Sequence, residues 1–271
     1  MNTKFLTLVG LITLYLTSCN SDDSNSSTTT TDESDTSTTI LPEAYSEFSD
    51  NVTVTLSGST VTIETNGLPD HESPYWSNTT QRAIHGITTP GSATNHSLFI
   101  EPTATSYTTM SPGNIDDFNG SHSLSVSVNP TQANSSTSTG LGAIGIAVSG
   151  AVIYNDEEGP NVPLDNAVSS LDYTGAHTGP QSYHYHLETK AWSNDDHNLI
   201  GVMADGFFLY GRRNSENGEY PTDLDASGGH FGPTVHNSDG EYHYHIQNDL
   251  YLNQYYILFP GDYQGTPSSI Q

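Results

Sequence analysis

The chain has one cysteine, Cys19, and only five basic residues against 31 acidic ones in 271. A single cysteine excludes an intramolecular disulfide and any zinc-finger or thiolate cluster. A metal site must therefore draw on histidine, carboxylate, tyrosine or backbone oxygen. The shortage of bases leaves a formal net charge of −26. Such a surface repels phosphate backbones and anionic headgroups, so nucleic acid is not an expected partner. The bias persists past residue 50, where 23 acids face Arg82, Lys190, Arg212 and Arg213, or 4 − 23 = −19. No apolar run, Phe5 to Leu16 included, is long enough to span a bilayer. No amphipathic helical run exceeds about ten residues. There is no Gly-x-Ser-x-Gly elbow, phosphate-binding loop, dinucleotide fingerprint or EF-hand pattern.

The first fifty residues differ from the rest. Lys4 precedes a short apolar stretch, Phe5 to Leu16, of signal-peptide length. Leu16-Thr17-Ser18-Cys19 then resembles the lipobox of bacterial lipoproteins. That resemblance implies a signal peptide over 1–18, cleavage before Cys19 and lipidation of its sulfur. Asn20-Ser21-Asp22-Asp23 is similar to the acidic surface-export signal of some of those lipoproteins. Of residues 20–39, 13 are Ser or Thr and five are acidic, a composition that cannot bury a core. The expectation is a lipid-anchored, disordered tether over 19–45, with the protein at the outer membrane or cell surface.

The remainder reads as mainly β. Val52, Val54 and Leu56 alternate, as do Val61 and Ile63, with Ser57-Gly58-Ser59 as a turn between them. Leu124, Val126 and Val128 alternate again, and Gly and Pro punctuate the rest at short intervals. We expect one β-sandwich- or barrel-like domain over 52–262.

The domain contains an internal two-fold repeat, about 145–190 and about 201–248. Gly145-Ile-Ala-Val-Ser-Gly150-Ala-Val-Ile-Tyr154 parallels Gly201-Val-Met-Ala-Asp-Gly206-Phe-Phe-Leu-Tyr210 at an offset of 56. Leu171-Asp172-x-x-Gly175-x-His177 parallels Leu224-Asp225-x-x-Gly228-x-His230 at 53, and Tyr183-His184-Tyr185-His186 recurs as Tyr242-His243-Tyr244-His245 at 59. Two copies suggest a duplicated unit rather than a solenoid, which needs three or more.

These blocks resemble the YHYH-domain family. Asp205-Gly206-Phe207-Phe208-Leu209-Tyr210-Gly211 and Asn66-Gly67-Leu68-Pro69-Asp70-His71 are also similar to family motifs. The resemblance spans roughly 52–262 and implies an exported, metal-binding domain without defining a reaction. One departure is that relatives often carry cysteine two residues after the Asp of the Leu-Asp motif, where this chain has Thr174 and Ser227.

The residue types explain why such a block can hold a metal. Residues i and i+2 of a strand face the same way, about 6.5 Å apart. His184 with His186, and His243 with His245, can therefore converge on one ion, while the tyrosines face the other side as core. His177 and His230 are the expected third ligands. Asp172 and Asp225 are the expected acceptors of a ligating histidine's free ring N–H. His71 is a weaker candidate. Either each repeat holds a three-histidine site, or both blocks meet in one. Imidazole ligation suits copper, zinc or iron. Calcium could bind acidic loops such as Asp116-Asp117-Phe118-Asn119-Gly120 or Asp156-Glu157-Glu158. If the site is catalytic, as a metal-dependent hydrolase or oxidoreductase, Asp205 is the candidate for orienting water. The rival reading is a non-catalytic adhesion or glycan-binding β module with structural histidines and a sugar-stacking tyrosine surface.

Overall fold

The computed structural model describes residues 39–76, 119–179 and 181–271. The signal stretch, Cys19, most of the tether, His85, His96 and Asp116 to Phe118 lie outside them. The packed chain begins earlier than Val52. Glu43–Glu47 form a 3-10 turn that buries Ala44 and Tyr45, and Tyr45 meets the edge of the Phe208 ring at 5.1 Å. Ala44 and Tyr45, which fall inside the stretch expected as a tether to residue 45, carry apolar surface into the core.

A three-stranded antiparallel meander comes first: β1 (Val52–Ser57), β2 (Thr60–Thr65) and β3 (His122–Ser127). The β1–β2 hairpin closes at Ser57↔Thr60, through a two-residue turn with Gly58 at φ +59°. Glycine is favoured there because a side chain would crowd the backbone at positive φ. Val61 pairs with Val126 and Ile63 with Leu124, and all four are buried.

The large sheet has eight strands. They are β4 (Gly145–Ala147), β5 (Val152–Ile153), β8 (Ala176–Thr178), β9 (Tyr183–Tyr185), β10 (Leu199–Met203), β11 (Phe208–Tyr210), β12 (Gly229–Gly232) and β13 (Glu241–His245). A ribbon of β6 (Glu157–Gly159) and β7 (Val162–Pro163) follows β5, and another of β14 (Leu250–Tyr251) and β15 (Tyr255–Tyr256) follows β13. The order across the large sheet is β12-β13-β11-β10-β4-β5-β9-β8. The order ends at β12 and β8 rather than closing, so this sheet is open. Val61, Ile63, Leu124 and Val126 of the meander share one core with Ile146, Val152, Ile200 and Val202 of the large sheet. This is the sandwich-like alternative rather than the barrel.

Outward from the central antiparallel pair β4·β10, both halves read alike. β4·β5 and β10·β11 are antiparallel, β5·β9 and β11·β13 are parallel, and β8·β9 and β12·β13 are antiparallel. Each Tyr-His-Tyr-His block thus enters its half beside β5 or β11, the strands that end at Ile153 and Tyr210. Among the described residues there is no α-helix, only short 3-10 turns, and no helix is long and apolar enough to cross a membrane.

The repeated glycines mark the central seam. Gly201 pairs with Ala147 and Gly145 with Met203. A Cβ on Gly201 would lie 2.2 Å from the Ile146 carbonyl oxygen, and one on Gly145 would lie 2.8 Å from that of Val202. Both contacts are with backbone, which cannot move without opening the seam. Gly201→Ala is expected to cost about 1–3 kcal/mol, the usual range for overpacking. That lowers the melting temperature by roughly 2–4 °C per kcal/mol in a domain of this size. Thermal unfolding followed by circular dichroism checks this, and an unchanged melting temperature would refute it.

Candidate metal centres

Strand register assembles the histidines into two sets of three. Across β8·β9, His177 lies directly opposite His184, and across β12·β13, His230 lies opposite His243. His186 and His245 follow two residues further along the same strand face. The ring centroids of His177, His184 and His186 are 4.6, 5.1 and 4.8 Å apart. Those of His230, His243 and His245 are 4.8, 5.1 and 4.8 Å apart. In each set the atoms able to ligate lie within 4.8 Å of one another. Of the two arrangements open from sequence, the structure has one triad per repeat.

Hydrogen bonds decide which ring nitrogen faces inward. His186 Nδ1 lies 2.6 Å from the Asn155 carbonyl and His245 Nδ1 lies 2.7 Å from that of Gly211. His184 and His243 direct Nδ1 to the carbonyls of Ser182 and Glu241, at 3.3 and 3.0 Å. A carbonyl oxygen has no proton to give, so each of these nitrogens donates. His230 Nδ1 donates to Asp223 at 2.9 Å. His177 Nδ1 lies 2.8 Å from the Ser170 hydroxyl, whose own proton goes to the Ala167 carbonyl, so this Nδ1 donates too. All six Nδ1 protons are therefore committed, and all six Nε2 atoms present bare lone pairs.

Several of those lone pairs have no protein donor. His186 Nε2 and His230 Nε2 are buried without a hydrogen-bond partner. His243 Nε2 and His245 Nε2 stand 2.9 Å apart, two acceptors facing each other, which a cation between the rings would relieve. Burial opposes charging of the rings. It pushes His177 down to about 3, His186 to about 4, His243 to about 4 and His245 to about 3, and His184 well below the usual range. Neutral imidazoles with fixed tautomers are the form that binds metal, so the residues present fit a transition ion at each triad.

The surroundings of the triads differ. Tyr154 stacks on His184 at 3.8 Å. The first triad lines a cavity of about 390 Å³ with Leu141, Tyr154 and Glu158. Glu158 Oε1 lies 3.3 Å from His177 Nε2 and 3.6 Å from His186 Nε2. Glu158 was legible only as part of an acidic loop suited to calcium. Nothing in residue type or spacing marks Ser170 or Asp223, although each stands seven residues before its histidine.

Several expected site residues belong to the other face of the strands. Asp172 does not touch a histidine. It accepts from the hydroxyls of Ser73 and Thr174 at 2.7 and 2.6 Å, from the Thr174 N–H at 2.8 Å, and from the Tyr183 hydroxyl. Asp225 likewise accepts from the N–H groups of Ser227 and Gly229 and from the Tyr242 hydroxyl at 2.8 Å. Both carboxylates anchor the tyrosines of the blocks, and the expected role behind the histidines falls to Ser170, Asp223 and main-chain carbonyls. Asp205 accepts from Tyr244 at 2.5 Å and from Gly265 N–H at 2.9 Å. This is again the tyrosine face, so Asp205 is not placed to orient water at either triad. His71 bonds the Tyr185 hydroxyl through Nε2 at 2.7 Å and sits beside Tyr173 and Trp192, away from the ligand set. Thr174 and Ser227, which stand where relatives carry cysteine, are buried in separate halves.

The fold and the two triads define a class: a mainly β protein with paired three-histidine clusters on one open sheet. Residues 123–222 match the family model described as YHYH protein, so that stretch of the chain is similar to this family. The match is narrower than the 52–262 expected from motif resemblance, and the second Tyr-His-Tyr-His block lies beyond it. No curated protein and no solved structure matches the chain.

The two faces of the blocks make separable predictions. Asp172→Ala strands the buried hydroxyls of Ser73, Thr174 and Tyr183, at about 1–3 kcal/mol for each group left unsatisfied. We expect a clear loss in chemical denaturation but unchanged metal content in the folded fraction. Lost metal with unchanged stability would instead place Asp172 in the site.

Proposed function

We propose that this chain is a transition-metal-binding module, exported and held at the cell surface by a lipid on Cys19. One observation carries the metal reading. All six triad histidines have Nδ1 tied to an acceptor and Nε2 turned into a shared, largely buried space. Histidines kept only for packing have no reason to gather three lone pairs in each of two separate clusters, since buried acceptors without donors are costly. Three imidazoles at 2.0–2.1 Å are a common transition-metal shell, and nitrogen donors favour copper, zinc or iron over calcium. The anchor and surface location rest on the lipobox-like segment and the Ser/Thr/Asp-rich stretch after it.

The glycan-binding reading finds less support. It needs exposed tyrosine rings, and the block tyrosines Tyr183, Tyr185, Tyr242 and Tyr244 are all buried.

Elemental analysis by plasma mass spectrometry on full-length, untagged protein in detergent tests the proposal. We expect two equivalents of copper, zinc or iron. Alanine at His184 and His186 should remove one, and alanine at His243 and His245 the other, with circular dichroism retained. Folded wild-type protein that holds no metal, and takes up none on dialysis, would overturn the reading.

A further inference from the structure

The two triads are built alike but surrounded differently, and the difference lies in where each keeps its carboxylate. After Tyr154 the first half continues Asn155-Asp156-Glu157-Glu158. After Tyr210, the matching stretch of the second half is Gly211-Arg212-Arg213-Asn214. Charge is thus inverted at the same place in the repeat.

In the first half this stretch forms the β6·β7 ribbon. The register slips between Glu157 and Gly159, so Glu158 sits at the irregularity. Such bulges re-aim a side chain out of the regular alternation. Glu158 points its carboxylate at the inner nitrogens of the triad, 3.3 Å from His177 Nε2 and 3.6 Å from His186 Nε2. These are close to the edge of a tetrahedron with bonds of 2.0–2.1 Å, about 3.3–3.4 Å. Burial raises the Glu158 carboxyl above its usual range, a cost that a cation beside it would offset.

In the second half the Gly211 carbonyl accepts from His245 Nδ1, but the two arginine side chains that follow pair elsewhere. Arg212 pairs with Glu188 at 2.7 Å and Arg213 with Asp195 at 2.8 Å. The second triad's carboxylate, Asp223, stands behind a ligand instead, accepting from His230 Nδ1. Among the described residues no carboxylate lies within ion-pair distance of the Nε2 atoms of His230, His243 or His245.

From this we infer that the two metal centres are chemically distinct. The first is a three-histidine, one-carboxylate centre in which Glu158 is the fourth donor to a divalent first-row ion. The second is a three-imidazole centre tuned from behind by Asp223. This rests on the metal reading above. An anionic oxygen donor neutralises part of the ion's charge and widens the set of acceptable metals toward harder ions such as manganese and iron. The second centre offers the metal only neutral nitrogen and favours copper or zinc.

Cobalt(II) is a suitable probe, because its visible absorption reports the ligand set. Metal-free, full-length protein in detergent is titrated in two backgrounds. His243→Ala with His245→Ala isolates the first centre, and His184→Ala with His186→Ala isolates the second. Glu158→Gln, which keeps shape and removes charge, should weaken cobalt at the first centre by roughly tenfold or more, within or above the 10–100-fold typical of losing a supporting partner. It should also shift that centre's absorption and leave the second centre's curve unchanged. Glu158→Asp, which restores the charge, should recover part of the affinity. Unchanged binding and spectrum with Glu158→Gln at the first centre would overturn the fourth-donor assignment while leaving metal binding intact. Equal weakening of both centres would overturn it too, as a general charge effect. Failure of wild-type protein to bind cobalt at either centre would instead refute the metal reading.

Discussion

The arrangement depends on the alternation of an extended strand. In Tyr-His-Tyr-His, every second side chain goes to the core and every other one to the opposite side. The tyrosine side is fastened by hydrogen bonds to its hydroxyls. Tyr183 and Tyr242 bond Asp172 and Asp225, Tyr244 bonds Asp205, and Tyr185 bonds Ser149 and His71. With one face held by buried rings and satisfied hydroxyls, the two histidines between them cannot turn inward. The antiparallel neighbour then supplies the third imidazole by register alone, His177 against His184 and His230 against His243. Rings oriented by Nδ1 bonds behind them lose little freedom on binding, which is the advantage of a preorganised ligand set.

Basic residues are scarce, and the two next to the second block are spent on structure. Arg212 is nearly fully buried, paired with Glu188 and lying 3.7 Å over the Tyr256 ring. Glu188 follows the first block and Arg212 follows β11, so this pair ties the ends of the two halves together. Losing one partner of such a pair leaves an uncompensated buried charge, which is strongly destabilising. The acidic excess elsewhere has few internal cations to pair with. At the first triad this leaves Glu158 with no Lys or Arg partner among the described residues, facing His177 and His186.

The two halves of the sheet match in strand pairing and differ at the rim. Strand order, pairing sense and the Nδ1 partners of the block histidines recur from one half to the other. What changes is the loop chemistry at the rim: an acidic ribbon on one side, an arginine pair on the other. A sheet conserves ligand geometry because its backbone ladder sets it, while rim residues vary without disturbing the pairing.

The β class, the Val61, Ile63, Leu124 and Val126 core, the repeat offsets and the six histidines were all legible in the sequence, because each is a local or periodic property of the chain. Alternation of period two shows which residues share a face, and recurrence of a block shows that whatever it builds is built twice. Sequence could not show the partners that lie far along the chain or act through the main chain. The Asn155 and Gly211 carbonyls carry no residue-type signal, so the groups that set the tautomers were invisible. Asp172 and Asp225 stand close in sequence to the histidines, which suggested support of the ligands, yet strand alternation sends their bonds to the tyrosines. Glu158 read as one of three acids in a loop until the ribbon's slipped register aimed it at His177 and His186. The sequence by itself determined the ligand types and the face they occupy. The tertiary structure decided the grouping into two separate triads and the unequal placement of their carboxylates, because both depend on strand pairing and on contacts between distant segments.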